Sequence, residues 1–421
     1  MGFSVSQAAK QAKTAARQLA KLTSQQKDAV LLSVAEQLEA DIPNILAANQ
    51  KDLDAAKENG LAESLQDRLK LDEGRVKAIA NAVRDIARQD DPVGSINNIK
   101  SLPSGIRVGK MRIPLGVIAM IYEARPNVTI DAAALCIKAG NAVILRGGKE
   151  ALYSNLAMAS CLHNALKEHG IGVDAAVVIP DPDRAIMQEL MTLSEDVDLI
   201  IPRGGEGLIR YVTENSRIPV IQHYKGVCHL YVDAEADLSK ALNILDNGKT
   251  QRVSVCNSLE TLLVNQAVAA EFLPEVAKLF QDKSVKVHAC ERALPYFEGL
   301  ANTQAELASE DDWNAEYLAM EIAIRVVDDF DMGVEHIQDY GSGHTEVIVT
   351  QNYSLANRFT REVNSAVVMV NASSRFSDGG ELGLGAEIGI STSKLHAYGP
   401  MGAESLTTEK FVVLGEGQIR H

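Results

Sequence analysis

The stretch Ser254-Val255-Cys256-Asn257-Ser258 holds the residue types that covalent chemistry would need. The run 237–245 before it has the spacing of an amphipathic helix, and the run 260–264 after it predicts a strand. Cysteine is usually buried as a small apolar residue. Here its neighbours are polar, and a nearby cation such as Arg252 favours the thiolate, which is the reactive form. We therefore predict that Cys256 is a nucleophile.

The other cysteines are weaker candidates. Cys136 and Cys161 lie within apolar helical patterns, which predicts burial in the core, whereas Cys228 and Cys290 flank strand-like runs and are the rivals of Cys256. No C-x-x-C pair occurs among the five cysteines, so we expect neither a disulfide framework nor a metal site.

Two glycine-containing turns follow predicted strands and could hold a phosphate-bearing cofactor. The first is Arg146-Gly147-Gly148-Lys149, and the second contains Gly204 and Gly205. Ligands bind outside the carboxyl edge of a parallel sheet, where glycine lets them approach the backbone and a helix start attracts anions. A plain turn between a strand and a helix is an equal alternative at both places.

Arg375 and His344 are further candidates for ligand contacts. Arg375 follows a predicted strand, and an arginine there can bind a carboxylate or phosphate with two hydrogen bonds, although structural ion pairs are commoner. His344 lies in a polar turn, where a lone histidine is more often a surface or hydrogen-bonded group than a ligand.

The elements that must position these residues alternate along the chain. Residues 4–90 predict three or four helices, and 106–113 and 410–414 predict exposed strands. Strands and helices then alternate over 115–232 and again over 229–370, which is typical of parallel sheets with helices on both faces. The predicted fold class is α/β, with two doubly wound parallel-sheet domains.

Length and charge narrow the classes of function. A chain of 421 residues is long enough for two or three domains. Its 41 basic and 56 acidic residues give a net charge of −15, which argues against a nucleic-acid partner. No apolar run reaches the ~18 residues of a membrane span, and the first residues lack the apolar core of a signal peptide, so we expect a cytoplasmic protein without a membrane partner.

Four stretches carry a resemblance to a known family: 112–117, 123–127, 251–257 and 334–348. The last contains HI, two residues, YGS, one residue and HTE. Together they resemble the aldehyde dehydrogenase superfamily and, within it, the gamma-glutamyl phosphate reductase family, over nearly the whole chain. The resemblance identifies Cys256 as the catalytic thiol.

The resemblance implies a nicotinamide cofactor. At the strand end the superfamily has the motif Lys-Pro-Ser-Glu, whose glutamate binds the ribose hydroxyls of NAD, whereas this chain has Arg146-Gly147-Gly148-Lys149. Lysine attracts a 2′-phosphate that glutamate would repel, so we expect NADP(H). Glu316 falls where the superfamily's Glu-Ile-Phe-Gly-Pro glutamate binds the nicotinamide ribose, although the Phe-Gly-Pro part is missing here.

The resemblance also implies a reaction. This is the NADPH-dependent reduction of L-glutamyl 5-phosphate to L-glutamate 5-semialdehyde through a thioester on Cys256, the second step of proline biosynthesis. The general-base glutamate of hydrolytic members has no counterpart in the run 222–226, and a reductase from which phosphate leaves needs none. The alternatives are a hydrolytic dehydrogenase acting on another semialdehyde and a non-catalytic binding protein of the same fold.

The implied substrate carries a carboxylate and a phosphate, so cations should line its pocket. The candidates for substrate contacts are Arg125, Asn127, Lys225, His344 and Arg375. Backbone amides near Cys256 would stabilise the oxyanion. The superfamily's oxyanion asparagine aligns with Ala124, and either Asn127 or Asn257 could replace it; Asn257 is grouped with Cys256 as catalytic.

The resemblance divides the chain into three parts. An NADP-binding domain comprises 1–98, 115–231 and 373–401, a catalytic domain comprises 232–372, and a flap comprises 99–114 with 402–421. Superfamily members oligomerise through such a flap, so we expect a homo-oligomer, either a dimer or a tetramer. An association with glutamate 5-kinase, which makes the labile acyl phosphate, is a further expectation.

Overall fold

The computed structural model describes residues 2–420, which fold as two compact units. Unit 1 comprises Met1–Gln222, Gly383–Ile390 and Pro400–His421, and unit 2 comprises His223–Leu382 and Ser391–Gly399. The predicted NADP-binding domain begins at Met1 and the predicted flap ends at His421, and these two residues lie outside the described part of the chain.

The helices are bounded as follows in the described chain: α1 Val5–Leu19, α2 Ser24–Ala40, α3 Ile42–Glu58, α4 Glu63–Leu69, α5 Glu73–Arg88, α6 Asn127–Lys138, α7 Leu152–Glu168, α8 Arg184–Leu190, α9 Glu206–Asn215, α10 Leu238–Thr250, α11 Gln266–Lys283, α12 Phe330–Tyr340 and α13 Tyr353–Glu362. The strands are β1 Ile96–Ser101, β2 Arg107–Pro114, β3 Val117–Tyr122, β4 Ala142–Gly147, β5 Ala176–Val178, β6 Leu199–Arg203, β7 Cys228–Val232, β8 Leu259–Asn265, β9 Lys286–Ala289, β10 Ala305–Leu307, β11 Glu321–Val327, β12 Thr345–Val349, β13 Val367–Val370, β14 Gly389–Ser391, β15 Gly399–Met401 and β16 Thr407–Leu414.

Unit 1 is built on a parallel sheet with the strand order β5-β4-β3-β6. Every residue of β3, the apolar run Val117–Tyr122, is buried, as expected for a strand covered on both faces. The N-terminal helices begin at polar caps, among them Thr23, whose side chain and Gln26 form a capping box. The run 219–221 adds an isolated parallel bridge between Val220 and Ile200.

Unit 2 is built on a larger parallel sheet with the strand order β10-β9-β11-β8-β7-β12-β13. Alternate residues of its central strands enter two apolar clusters on opposite faces: Leu230 and Leu262 belong to one, and Tyr231 and Leu263 to the other. The α/β class with two parallel-sheet units is therefore confirmed.

The predicted boundary at residue 231 is wrong, because it falls inside β7. That strand pairs with β8 and β12 in the sheet of unit 2, so its hydrogen bonds place it there. Residues 373–382 and 391–399, expected in the NADP-binding domain, also belong to unit 2.

The flap is a three-stranded antiparallel sheet with the order β1-β2-β16. β16 pairs with β2 from Thr407 opposite Pro114 to Leu414 opposite Arg107. The expectation of two strands missed β1, whose polar run Ile96–Ser101 is exposed throughout and lacks the apolar alternation that marks a strand. Within residues 2–420, none of the helices has the length and apolar character that crossing a membrane requires.

Candidate active site

Cys256 lies in the segment 251–258, which joins α10 to β8 and is called the thiol loop below. The loop stands at the amino end of β8, next to the segments that precede the neighbouring strands β7 and β12. Cys256 is half-buried, whereas Cys136, Cys161 and Cys228 are buried. Burial raises the pKa of the Cys136 and Cys228 thiols far above the usual range and that of Cys161 to about 12. These three are therefore poor nucleophiles, as a buried thiol resists ionisation.

The backbone of Cys256 is held by the segment before β7. The thiol of Cys228 donates to the Cys256 carbonyl at 3.2 Å. Gly226 packs on the same carbonyl so closely that a Cβ at this position would stand 2.1 Å from the oxygen. Only glycine fits here without moving the thiol loop.

Asn257 anchors the loop from its other side. Its side-chain amide donates to the Ser377 carbonyl at 2.9 Å, and its own carbonyl accepts from the Ser374 hydroxyl at 2.7 Å. Because the Asn257 amide group is directed at backbone carbonyls and is 5% exposed, the structure contradicts its expected role as an oxyanion donor. Its position makes it a residue that holds the thiol loop.

His344 was expected to contact substrate, but its side chain is 1% exposed. Its Nδ1 lies 2.8 Å from the Thr345 hydroxyl and 3.7 Å from the Cys228 sulfur. Burial, with a smaller contribution from His223, lowers the pKa of His344 to about 3, so the ring is neutral at physiological pH. The expectation is corrected: His344 is a core histidine packed behind the thiol loop.

Arg375 lies beside the thiol loop and lines a surface cavity of ≈ 330 Å³. Its Nε donates to the Gln251 side chain at 2.8 Å. Burial and the neighbouring Arg252 lower the pKa of Arg375, while Asp378 and Cys256 oppose that change. The remaining cavity wall is formed by Asn247, Gln251, Phe376, Asp378 and Glu381. The wall of the cavity therefore carries one cation, Arg375, and two carboxylates, Asp378 and Glu381.

Two hydrogen bonds, one from Lys225 and one to Glu316, join the segment before β7 to the segment 314–316. The Lys225 ammonium donates to the Asn314 carbonyl at 2.6 Å, and the Glu316 carboxylate accepts from the Gly226 amide at 2.9 Å. Glu316 thus supports the glycine that packs on Cys256.

Sequence reasoning missed Lys249 and Glu260, which flank the thiol loop. Their side chains are fully buried and their charged atoms lie 2.7 Å apart. A signal was present for Glu260, an ionisable residue in the predicted strand 260–264, whereas Lys249 lies beyond the predicted helix 237–245 among polar residues and gave none.

The predicted cofactor residues of unit 1 come together at the carboxyl edge of its sheet. Tyr122, at the end of β3, pairs with Gly147 on one side and with Arg203 on the other, which brings both glycine turns to one edge. Lys149 is exposed there. Arg146 donates to the Pro182 carbonyl at 2.7 Å, and its buried Nε has no hydrogen-bond partner among the described residues.

The glycines of these turns are required by packing as well. A Cβ on Gly147 would stand 2.2 Å from the Asn155 amide nitrogen, and one on Gly204 would stand 2.6 Å from the Glu123 carboxylate. That carboxylate accepts from the Gly205 amide at 2.9 Å, at the start of α9. A phosphate could therefore use the Gly205 amide only in place of the Glu123 carboxylate.

Arg125 and Asn127 belong to unit 1, at the junction of β3 and α6. The helix α6 begins at Asn127, whose side-chain amide donates to the Asp131 carboxylate at 2.8 Å. Among residues 2–420, no group of three or more His, Cys, Asp or Glu side chains could hold a metal ion.

Comparisons with known proteins show what the chain is similar to. A model of the aldehyde dehydrogenase family matches residues 3–292. The gamma-glutamyl phosphate reductase of Colwellia psychrerythraea is 57% identical over 419 residues, covering 99% of this chain and 99% of that protein. That of Salinibacter ruber is 57% identical, covering 100% of this chain and 95% of that protein. The crystal structure of the reductase from Thermotoga maritima superposes with a TM-score of 0.96 at 42% identity, covering 99% and 100% of the two chains.

Proposed function

Because the chain belongs to the aldehyde dehydrogenase family and, within it, to the gamma-glutamyl phosphate reductases, we propose that it reduces L-glutamyl 5-phosphate to L-glutamate 5-semialdehyde and phosphate. This is the second step of proline biosynthesis from glutamate. The observation that carries the proposal is Cys256, the half-buried thiol of a loop whose backbone is held on both sides, with Arg375 beside it.

Cys256 carries the covalent step. Its thiolate attacks the acyl carbon, the bond from that carbon to the phosphate oxygen breaks, and inorganic phosphate leaves with the bonding electrons. Hydride addition to the resulting thioester gives a hemithioacetal, which re-forms the carbonyl and expels the thiolate. Backbone amides of the thiol loop are the proposed oxyanion donors, since the Asn257 side chain is occupied.

Arg375 binds an anionic group of the substrate. It is a cation close enough to Cys256 for the two groups to interact electrostatically, and guanidinium groups bind carboxylate and phosphate oxygens with two parallel hydrogen bonds. Lys225 and Arg125 are the further cations proposed for the substrate, with Asn127 as a polar contact.

NADPH, when bound, supplies the hydride. The proposed residues are Arg146 and Lys149 with the two glycine turns of unit 1, and Glu316 in unit 2. The exposed Lys149 suits the cofactor, because its ammonium is a cation for a 2′-phosphate.

Assembly is proposed to use the flap. β1 and β16 are its outer strands, and β16 carries the exposed apolar residues Phe411 and Val413. Such edges pair readily with another chain, so a second copy is the proposed occupant. Association with glutamate 5-kinase would protect the labile acyl phosphate during transfer and is proposed for that reason.

The deciding experiment runs the reaction in reverse. The chain is given glutamate semialdehyde and NADP⁺, with and without inorganic phosphate, and the cofactor is followed by absorbance while products are identified by mass spectrometry. We expect reduction of NADP⁺ only with phosphate present and none from the Cys256→Ala variant. Phosphate-independent formation of glutamate would establish a hydrolytic dehydrogenase instead, and no turnover under any condition would establish a binding protein.

A further inference from the structure

A buried ion pair closes the base of the thiol loop. Lys249 stands near the end of α10, just before the loop, and Glu260 stands at the start of β8, just after it. The Lys249 ammonium donates to Glu260 Oε2 at 2.7 Å, and both side chains are fully buried. The two ends of the segment that carries Cys256 are therefore joined by charge as well as by the backbone.

Fold stability does not explain this pair. Two charges removed from water lose much of their hydration, and well-packed apolar residues of similar volume often serve a core equally well. Burial raises the pKa of Glu260 to about 7 and lowers that of Lys249, each against the attraction of its partner. Because burying these two charges costs free energy, their position at the base of the thiol loop indicates a role in placing that loop.

The second oxygen of Glu260 extends the contact to another part of the site. Glu260 Oε1 accepts from the Leu318 amide at 3.3 Å. Leu318 has a φ of 51°, a left-handed conformation that a branched apolar residue adopts only when its surroundings hold it there. Two residues earlier, Glu316 accepts from the Gly226 amide, and Gly226 packs on the Cys256 carbonyl. The pair is thus connected to the backbone of Cys256 in two ways: along the chain, because Lys249 and Glu260 flank the thiol loop, and through the contacts of the segment 316–318 with Gly226.

We infer that Lys249 and Glu260 are positioning residues, which hold the thiol loop and the segment 316–318 in one fixed arrangement so that the Cys256 sulfur is correctly placed for attack. The inference deepens the proposed function and rests on Cys256 being its nucleophile. Neither side chain touches substrate, because both are fully buried.

Three variants test the inference. Glu260→Gln keeps the shape of the side chain and an acceptor for Leu318 but removes the charge. Lys249→Met with Glu260→Leu replaces the pair by apolar side chains. Lys278→Met is the control, because it breaks the exposed pair of Lys278 with Glu275 in the same unit.

Three readouts are measured for each variant: the urea midpoint of unfolding, kcat and KM, and the pH profile of iodoacetamide alkylation at Cys256, assigned by peptide mass spectrometry. We expect Glu260→Gln and the double variant to lower kcat by roughly 10- to 100-fold with little change in KM, since small displacements of a reacting group have such effects. Their alkylation profiles should depart from the wild-type profile, while the control matches it in every readout.

A folded Glu260→Gln or double variant whose alkylation profile and kcat coincide with those of the wild type would overturn the inference. If the double variant does not fold, the isosteric Glu260→Gln decides alone. Alkylation requires no substrate, so it tests the positioning role separately from the proposed reaction. If the wild-type chain shows no phosphate-dependent turnover but the variants still change the alkylation profile, the proposed reaction is refuted and the positioning role is supported.

Discussion

At the level of single residues, the neighbours of Cys256 hold the thiol loop. Cys228 and Gly226 fix the carbonyl of Cys256, and Ser374 and Ser377 fix Asn257. Holding a nucleophile in one orientation removes the entropy that a mobile group would lose on reaction. Lys149 has a different task, because in the proposed function its charge selects the cofactor.

Lys149→Glu should weaken the preference for NADPH over NADH. A carboxylate at this exposed position repels a 2′-phosphate that the ammonium attracts, and we expect the ratio of kcat/KM for NADPH over NADH to fall by about tenfold, or ~1.4 kcal/mol. Steady-state kinetics with both cofactors measure the ratio. Lys167→Glu changes the charge identically at an exposed site on α7 and serves as the control. An unchanged ratio in Lys149→Glu would remove Lys149 from the cofactor site.

At the level of elements, the site in unit 2 depends on segments that precede adjacent strands. Those before β7, β8 and β12 lie side by side because the three strands are neighbours in a parallel sheet. The register of the sheet, with Cys228 opposite Leu259, therefore sets how Gly226 meets Cys256. A substitution in one of these segments should therefore displace the segment beside it.

Gly226→Ala should show this coupling. The added Cβ would stand 2.1 Å from the Cys256 oxygen, so the thiol loop must move, and overpacking of this kind costs about 1–3 kcal/mol. We expect a lower urea midpoint and a changed rate of Cys256 alkylation. Gly172→Ala is the control, since a Cβ there meets nothing within 4 Å. Wild-type stability together with wild-type alkylation in Gly226→Ala would show that the loop is not packed as described.

At the level of the whole molecule, acid stability is limited by histidines buried in neutral form. Burial lowers the pKa of His344 to about 3 and that of His336 to about 2. An unfolded histidine titrates near 6.5, so between pH 6.5 and 3 the unfolded chain binds more protons than the folded one. These histidines therefore reduce stability as the pH falls below 6.5, whereas the raised pKa of Glu260 acts in the opposite direction as the pH falls from 7.

His344→Asn should reduce the acid sensitivity of folding. Lowering the pH from 7.5 to 5.0 costs a histidine of this kind about 2 kcal/mol, and asparagine does not titrate. We expect the loss of unfolding free energy over that interval to be smaller by this amount in the variant than in the wild type, as measured by urea unfolding. The exposed His169→Asn should leave the loss unchanged. Equal losses in His344→Asn and the wild type would show that His344 is protonated in the folded protein.

Phe411→Asp tests the proposed assembly. Phe411 is 71% exposed on β16, and an aspartate there places a charge on the apolar edge where a second copy would pack. We expect a smaller mass in light scattering coupled to size-exclusion chromatography, with the far-ultraviolet circular dichroism unchanged. Tyr353→Asp alters a similarly exposed aromatic residue of unit 2 and should retain the wild-type mass. Retention of the full mass by Phe411→Asp would exclude this edge of the flap from the interface.

Patterns along the chain were enough to predict the fold class and the family. Apolar periodicity identified most of the helices and parallel strands, because a strand buried on both faces must be apolar along its length, as Val117–Tyr122 is. Apolar periodicity does not predict an element that is defined by its hydrogen bonds to another strand. Strand β1 is such an element, because it is polar and exposed and is defined by its hydrogen bonds to β2. The boundary at residue 231 failed for the same reason, since only the pairing of β7 assigns it to unit 2.

The sequence by itself determined Cys256 as the candidate nucleophile, because a cysteine among polar residues, in stretches that match a family, is visible in one dimension. Tertiary structure alone decided what surrounds it: the occupied amide of Asn257, the buried neutral ring of His344 and the Lys249–Glu260 pair. Hydrogen-bond partners and solvent exposure arise from contacts between segments far apart in the chain, and no local pattern specifies them.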